Sequence, residues 1–229
     1  MCSTWNMFDE FEQHLIDAAN ILSISIDSQQ SRQFQEYARI LEQWNRATNL
    51  TAIESPQEVA VKHFIDSIMP LKFGLPADGA SVLDIGSGAG FPSIPLKIMK
   101  PALSLTLLEP NSKKRSFLLY IIGTFRLEDI AVRDLTLKNF VEHTHDRHDC
   151  AVIRAVNFRV MGSDLREALH DGGTALAYRS SPMMSHDIPI GFRKTDEWSY
   201  NLPFEQGARV LTELCPIDAN VPRGTGKCA

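Results

Sequence analysis

Apolar residues in the first third of the chain recur at the spacing of an α-helix. Phe8, Phe11, Leu15, Ala18, Ala19 and Leu22 fall on one face with acids between them. Phe34, Tyr37, Ala38, Leu41 and Trp44 repeat the pattern behind Ser31, which it makes the N-cap. Pro56 opens a third helix running to about Ile68, and Pro70, Gly74 and Pro76 punctuate a linker. From Ala80 the pattern changes to short apolar runs of strand length: Ser81–Ile85, Leu103–Leu108, Cys150–Val156 and Thr174–Tyr178, with helical stretches between most of them, among them Asn111–Thr124. Strands alternating with helices predict an α/β fold, a mostly parallel sheet covered on both faces. The expected organisation is an N-terminal helical cap (1–75), an α/β domain (76–215) and a C-terminal tail (216–229).

Composition narrows the class. With 229 residues, 44% hydrophobic and 22% charged, the chain is globular, neither disordered nor a disulfide-dense mini-protein. Its 23 basic and 28 acidic residues give a net charge of −5, which by itself argues against a nucleic-acid partner. The excess is local, however. Residues 1–30 hold Asp9, Glu10, Glu12, Asp17 and Asp27 and no Lys or Arg, so the remainder carries 23 of each sign. In that neutral remainder Lys97, Lys100, Lys113, Lys114, Arg115, Arg154 and Arg179 predict a modest basic rim.

The four cysteines form no C-x-x-C pair, and Cys150 and Cys215 lie in apolar runs, which predicts buried free thiols in a reducing compartment. Acids stand where a secretory leader needs positive charge, and the longest apolar run, Phe117–Ile122, is far short of the roughly 20 residues a membrane helix needs. A cytoplasmic monomer without a membrane partner is expected. His143, His145 and His148 share no helical face, which predicts a solvated loop before the next strand rather than a metal site.

The candidate chemistry begins at Asp84-Ile85-Gly86-Ser87-Gly88-Ala89-Gly90, between the first predicted strand and a helix starting near Pro92. Glycines allow a tight turn and close approach of a ligand to the backbone. A dinucleotide fingerprint would read G-x-G-x-x-G and set a pyrophosphate on the helix N-terminus. Here the spacing is G-x-G-x-G, and Pro92 and Pro95 remove N–H groups a diphosphate would use, so the loop suits a ligand without phosphates. Glu109 follows the next strand, where an acid accepts bonds from ribose hydroxyls.

Strand, D-x-G-x-G-x-G, helix, strand and acid resemble the Rossmann-like S-adenosylmethionine-dependent methyltransferases. The flanking residues are more specific: Trp44-Asn45-x-x-x-Asn49-Leu50-Thr51-x-Ile53, Lys62-His63-x-x-Asp66-Ser67, Gly88-Ala89-Gly90-Phe91-Pro92-x-Ile94-Pro95-Leu96, Lys113-Lys114-x-x-Phe117-Leu118 and Asp149-x-x-x-x-Arg154-Ala155, with a weaker Val221-Pro222-Arg223-Gly224-x-Gly226-Lys227. From about Leu41 to Val156 the chain is similar to the GidB/RsmG family, which methylates N7 of one guanine in the decoding-region loop of small-subunit (16S) ribosomal RNA. The resemblance implies S-adenosyl-L-methionine as cofactor, held by Asp84 near its ammonium, Glu109 on its ribose, and Gly86, Gly88, Gly90, Phe91, Leu137, Lys138 and Arg154. It implies Arg154 and Arg179 in the catalytic pocket, Arg179 and Arg209 on RNA, and no metal. Asn49, His63 and Asp66 are expected to link cap to cleft, His63 as a buried, hydrogen-bonded residue. Three positions depart from the family: Thr136 stands where an Arg is usual, with Arg133 three residues earlier, and Arg179-Ser180 replaces a Lys-Gly. They leave room for a paralogue acting on another RNA or a small molecule, or for a non-catalytic RNA-binding relative.

Overall fold

Helix α1 (Thr4–Ile21) is followed by α2 (Ser28–Thr48), whose start is set one turn earlier than the apolar pattern predicts. Asp27 is the N-cap: its carboxylate accepts from the backbone N–H groups of Gln29 and Gln30, and the Gln30 side chain accepts in return from the Asp27 N–H. Such a reciprocal cap stabilises a helix start by about 1 kcal/mol. Ser31, the expected cap, lies inside α2, where its hydroxyl donates to Glu12 at 2.8 Å. Two of the five acids of the N-terminal segment therefore serve the fold, Asp27 as a cap and Glu12 as a tie between α1 and α2. The computed structural model describes residues 4–157 and 159–217. Cys2, Cys228, the Phe8 side chain and the Val221–Lys227 motif lie outside the described residues.

The third helical stretch is not a uniform α-helix. A single turn, α3 (Pro56–Glu58), is capped by the Ser55 hydroxyl and leads into a wide π-helical turn over Val59–Ile65. There the Asp66 N–H reaches back to the Val61 carbonyl before α4 (Asp66–Ile68) and a 3-10 turn (Met69–Phe73) end at Gly74. π-turns recur at functional sites because they redirect side chains.

The sheet follows in the order β3-β2-β1-β4-β5-β7-β6. Its members are β1 (Ser81–Ile85), β2 (Ser104–Leu108), β3 (Ile130–Arg133), β4 (His148–Arg154), β5 (Leu169–Arg179), β6 (Phe192–Asn201) and β7 (Ala208–Pro216). β1 to β5 pair in parallel, and β7 runs antiparallel between β5 and β6. Helices α5 (Ser93–Met99), α6 (Ser112–Phe125), α7 (Leu137–His143) and α8 (Gly162–Glu167) lie between the strands. Asn111 caps α6 through the Lys113 and Lys114 N–H groups, at the start of the helical stretch expected over Asn111–Thr124.

Strand alternation divides the core in two. Val82, Leu105 and Leu107 pack with Phe11, Leu15, Phe34, Tyr37 and Phe64, so the N-terminal helices and one face of the sheet share one apolar core. Leu83, Ile85, Leu108, Ala151 and Ile153 pack on the other face with Phe140 and Leu165.

Three expectations change. Lys97 is buried, donating to the Pro101 and Leu103 carbonyls, and Lys100 binds Asp78 and the Pro76 carbonyl, so neither contributes to a rim. A lysine stem buried with its ammonium on carbonyl oxygens cannot be told from a surface lysine by its neighbours in sequence. His148 begins β4, buried, with Nε2 on the Thr106 hydroxyl at 3.0 Å, so that of these three histidines His143 and His145 alone are exposed. Cys150 is a buried free thiol pushed up to about 12 by burial, but Cys215 is disulfide-bonded. Apolar flanks fit both states of a buried sulfur. No described helix is long and apolar enough to cross a membrane.

Candidate active site at the carboxyl edge of the sheet

In an open α/β sheet ligands bind beyond the carboxyl ends of the strands, where the connections diverge to opposite sides. That point lies between β1 and β4. The loop after β1 holds Gly86, Gly88 and Gly90 at φ +76°, +59° and +85°, which glycine adopts without strain. Gly86 and Ser87 donate to the Leu108 carbonyl, and Gly90 donates to Ser87 at 2.7 Å. Glu109 is 5% exposed and spans the loop: one oxygen accepts from the Gly88 N–H and the other from the Asn111 N–H, each at 2.8 Å. Each oxygen keeps a further lone pair for a ligand hydroxyl.

Asp84 occupies the next position on the cap-facing side of β1 after Val82. It is 1% exposed, and its Oδ2 has no hydrogen-bond partner. Burial raises its carboxyl to about 7; the Ser93 and Ser87 hydroxyls oppose the shift, and Glu109 adds to it. A buried carboxylate oxygen with an empty valence is a socket for a cationic donor.

Phe91 ties the loop to the cap. Its ring lies between Tyr37, at 5.3 Å and 7°, and His63, at 4.6 Å and 11°, with Phe64 edge-on. The Tyr37 hydroxyl donates to the Ala89 carbonyl. His63 is held by Thr51, whose hydroxyl meets its Nε2 at 2.8 Å, and Thr51 is bracketed by the Asn45 amide. Asn49 ends α2 in the left-handed conformation. The N-x-x-x-N-L-T and K-H-x-x-D-S motifs are thus one support for the glycine loop.

Burial, helped by Arg154 and Lys62, drives His63 down to about 3, so it is neutral at physiological pH. A depressed imidazole contributes stability that is present above its unfolded value near 6.5 and is lost as pH falls toward 3. His63→Gln is therefore expected to flatten the loss of stability between pH 6.5 and pH 4, measured by urea unfolding at each pH. Parallel wild-type and variant curves would contradict this.

The remaining expected residues fall at the same edge in different states. Leu137 is in the core and Lys138 is exposed, paired with Glu142 at 3.8 Å, which leaves their main chain at the edge. Thr136 caps α7 by accepting from the Asn139 N–H. Arg154 turns toward the cap, donating to the Lys62 carbonyl and the Ser67 hydroxyl. Arg209 also points there, with Nε 3.8 Å from Asp66. Arg179 pairs with Asp187 at 2.7 Å and Arg115 with Asp134 at 2.6 Å. Of the expected rim, Lys113 stays exposed and Lys114 half-buried at the start of α6. No cluster of three metal-ligating side chains occurs among the described residues. The sequence reading missed Tyr37, Tyr178 and Tyr200 as site supports; Tyr37 was legible only as a core position.

Sheet order, glycine loop and paired acids define a methyltransferase of the Rossmann-like class. The fold agrees with that of TrmN from Thermus thermophilus (TM-score 0.55, 14% identity, 72% of this chain and 55% of that one). It also agrees with coclaurine N-methyltransferase (TM-score 0.53, 11% identity, 88% and 69%).

Within that class, residues 30–186 match the family model GidB, rRNA small subunit methyltransferase G. The ribosomal RNA small subunit methyltransferase G of Pelotomaculum thermopropionicum is 40% identical over 212 residues, covering 88% of each chain. That of Caldanaerobacter subterraneus subsp. tengcongensis is 40% identical over 144 residues, 62% of this chain and 60% of its own length. The chain belongs to this family.

Proposed function

We propose that the protein transfers a methyl group from S-adenosylmethionine to N7 of a guanine in the decoding-region loop of 16S ribosomal RNA. In a chain of this family, the observation that carries the reading is the partnerless, buried Asp84 Oδ2 beside the glycine loop, which fits the ammonium of the cofactor's methionine. Glu109 offers lone pairs to the ribose, and Gly86, Gly88, Gly90, Phe91, Leu137, Lys138 and Arg154 complete the cradle. When bound, the cofactor supplies an electrophilic methyl on a sulfonium centre.

Guanine N7 has a lone pair and no proton, so its attack needs no general base, and the neutral, stacked His63 has no proton to take. The protein's task is alignment and exclusion of water. The guanine must leave its stack, which costs least for an unpaired loop base. Arg179 and Arg209 are the cations for RNA contact, Arg179 after release from Asp187.

The test is transfer of labelled methyl to small ribosomal subunits from cells lacking this modification. Label on 16S RNA at guanine N7 is expected. Thr136 favours a second reading, a paralogue with another RNA or small-molecule substrate, and label on other RNA or on nucleosides with none on 16S RNA would establish it over the first.

A further inference from the structure

One buried carboxylate faces both arginines of the cleft. Asp66, 2% exposed at the first position of α4, has Oδ1 bound by the Tyr200 hydroxyl at 2.8 Å. Its Oδ2 lies 3.4 Å from Arg154 Nη2 and 3.8 Å from Arg209 Nε. These partners come from the ends of β4, β6 and β7, so α4 meets three strands at one side chain. Ser67 adds two more ties: its hydroxyl accepts from Arg154 Nη1 at 3.2 Å and its carbonyl from the Tyr178 hydroxyl at 2.9 Å.

We propose that Asp66 is a positioning residue that anchors Arg154 and Arg209 at one point of the cleft, Arg154 for the cofactor and Arg209 for the RNA. The inference rests on the function proposed above. Tyr200 fixes the plane of the carboxylate by holding Oδ1, and Oδ2 is left as the shared counter-ion. Without it the two guanidinium groups would repel across the seam and lose their common reference point. With it, two positive charges share one negative and a net positive charge remains. The Arg154 and Arg209 side chains are 18% and 22% exposed and that of Asp66 is 2% exposed, so the arginines, and not the carboxylate between them, are open to a ligand.

The test uses the full-length protein in two double-mutant cycles. Asp66→Asn is expected to weaken S-adenosylhomocysteine, measured by calorimetry, and to raise KM for small ribosomal subunits, each about tenfold, because a small misplacement of an orienting group costs one to two decades. Its effect on S-adenosylhomocysteine should be non-additive with Arg154→Gln, and its effect on KM non-additive with Arg209→Gln. Tyr200→Phe, which removes one hydrogen bond and no charge, should show the same pattern at a few-fold and serves if Asp66→Asn does not fold.

Additive cycles, or a fall in melting temperature with both binding readouts unchanged, would overturn the proposal. Wild-type protein that binds S-adenosylhomocysteine but methylates no subunit would reject the proposed substrate, and the calorimetric cycle would then decide on Asp66 alone. Wild-type protein that binds no S-adenosylhomocysteine overturns both readings.

Discussion

Replacing Asp84 with Asn is expected to stabilise the cofactor-free protein at pH 8 while lowering its affinity for S-adenosylmethionine at least tenfold. The two effects have one cause. Burial raises the Asp84 carboxyl from 3.8 to about 7. A raised carboxyl contributes stability that is fully present below its unfolded value near 4 and is lost as pH rises through about 7, since the folded state then holds a buried charge. At pH 8 the burden is at most about 4 kcal/mol, from roughly 3 pK units at 1.36 kcal/mol each. Asn removes the charge and with it the pH dependence. It also removes the anion that fits the cofactor's ammonium, where a charge-assisted bond contributes about 1.5–3 kcal/mol. Urea unfolding from pH 4 to pH 9 should show wild type losing stability relative to Asp84→Asn between about pH 4 and pH 7, with the difference levelling off above. Calorimetry below pH 7 should show proton release on cofactor binding by wild type and none by the variant. Equal pH slopes would show that Asp84 is ionised throughout and would remove this account of the socket.

Gly90→Ala is expected to destabilise by about 3 kcal/mol, and Gly88→Ala by about 1 kcal/mol, although both sit in one loop at positive φ. A Cβ on Gly90 would meet the Tyr37 hydroxyl at 2.5 Å, Ile94 at 2.8 Å and Leu118 at 3.1 Å. None of these can retreat freely: Tyr37 is buried and bound to Ala89, and Leu118 is fully buried in α6. A Cβ on Gly88 finds only the Gly86 carbonyl at 3.9 Å, so the left-handed strain is the main cost. Thermal unfolding of both variants checks the ranking. A Gly90→Ala protein as stable as Gly88→Ala would mean that α2 does not press on the loop as described.

The parts of this molecule that were legible in sequence are those whose signal is local. β1, the helix from Asn111 and the glycine loop depend on residues within a few positions of one another, and the motifs from Leu41 to Val156 led to the family. The Asp27 cap was overlooked because Ser31 lies closer to the apolar stripe. The wide turn at Val59–Ile65 could not be read because its apolar residues also satisfy an ordinary helical period. β3 has four residues, the first three half-buried and the last exposed, and β6 alternates buried Phe192 with polar neighbours, so neither presents a continuous apolar run. The arginines were placed at the right edge but not in the right company. Asp66 and Tyr200 are 134 residues apart, and nothing in either neighbourhood announces the other. Lys97 was misread for a different reason: its carbonyl partners, Pro101 and Leu103, are only four and six residues on, but nothing in the residue types shows that the turn between α5 and β2 folds back over the ammonium.

The stack of Tyr37, Phe91 and His63 makes α2 part of the floor on which the loop rests. A ligand that quiets the loop must therefore quiet the helix behind it. Amide hydrogens along α2, more than 35 residues before Gly86 in the chain, should exchange with solvent more slowly once the cleft is filled. Read by mass spectrometry, the helix would report occupancy of a cleft it does not line.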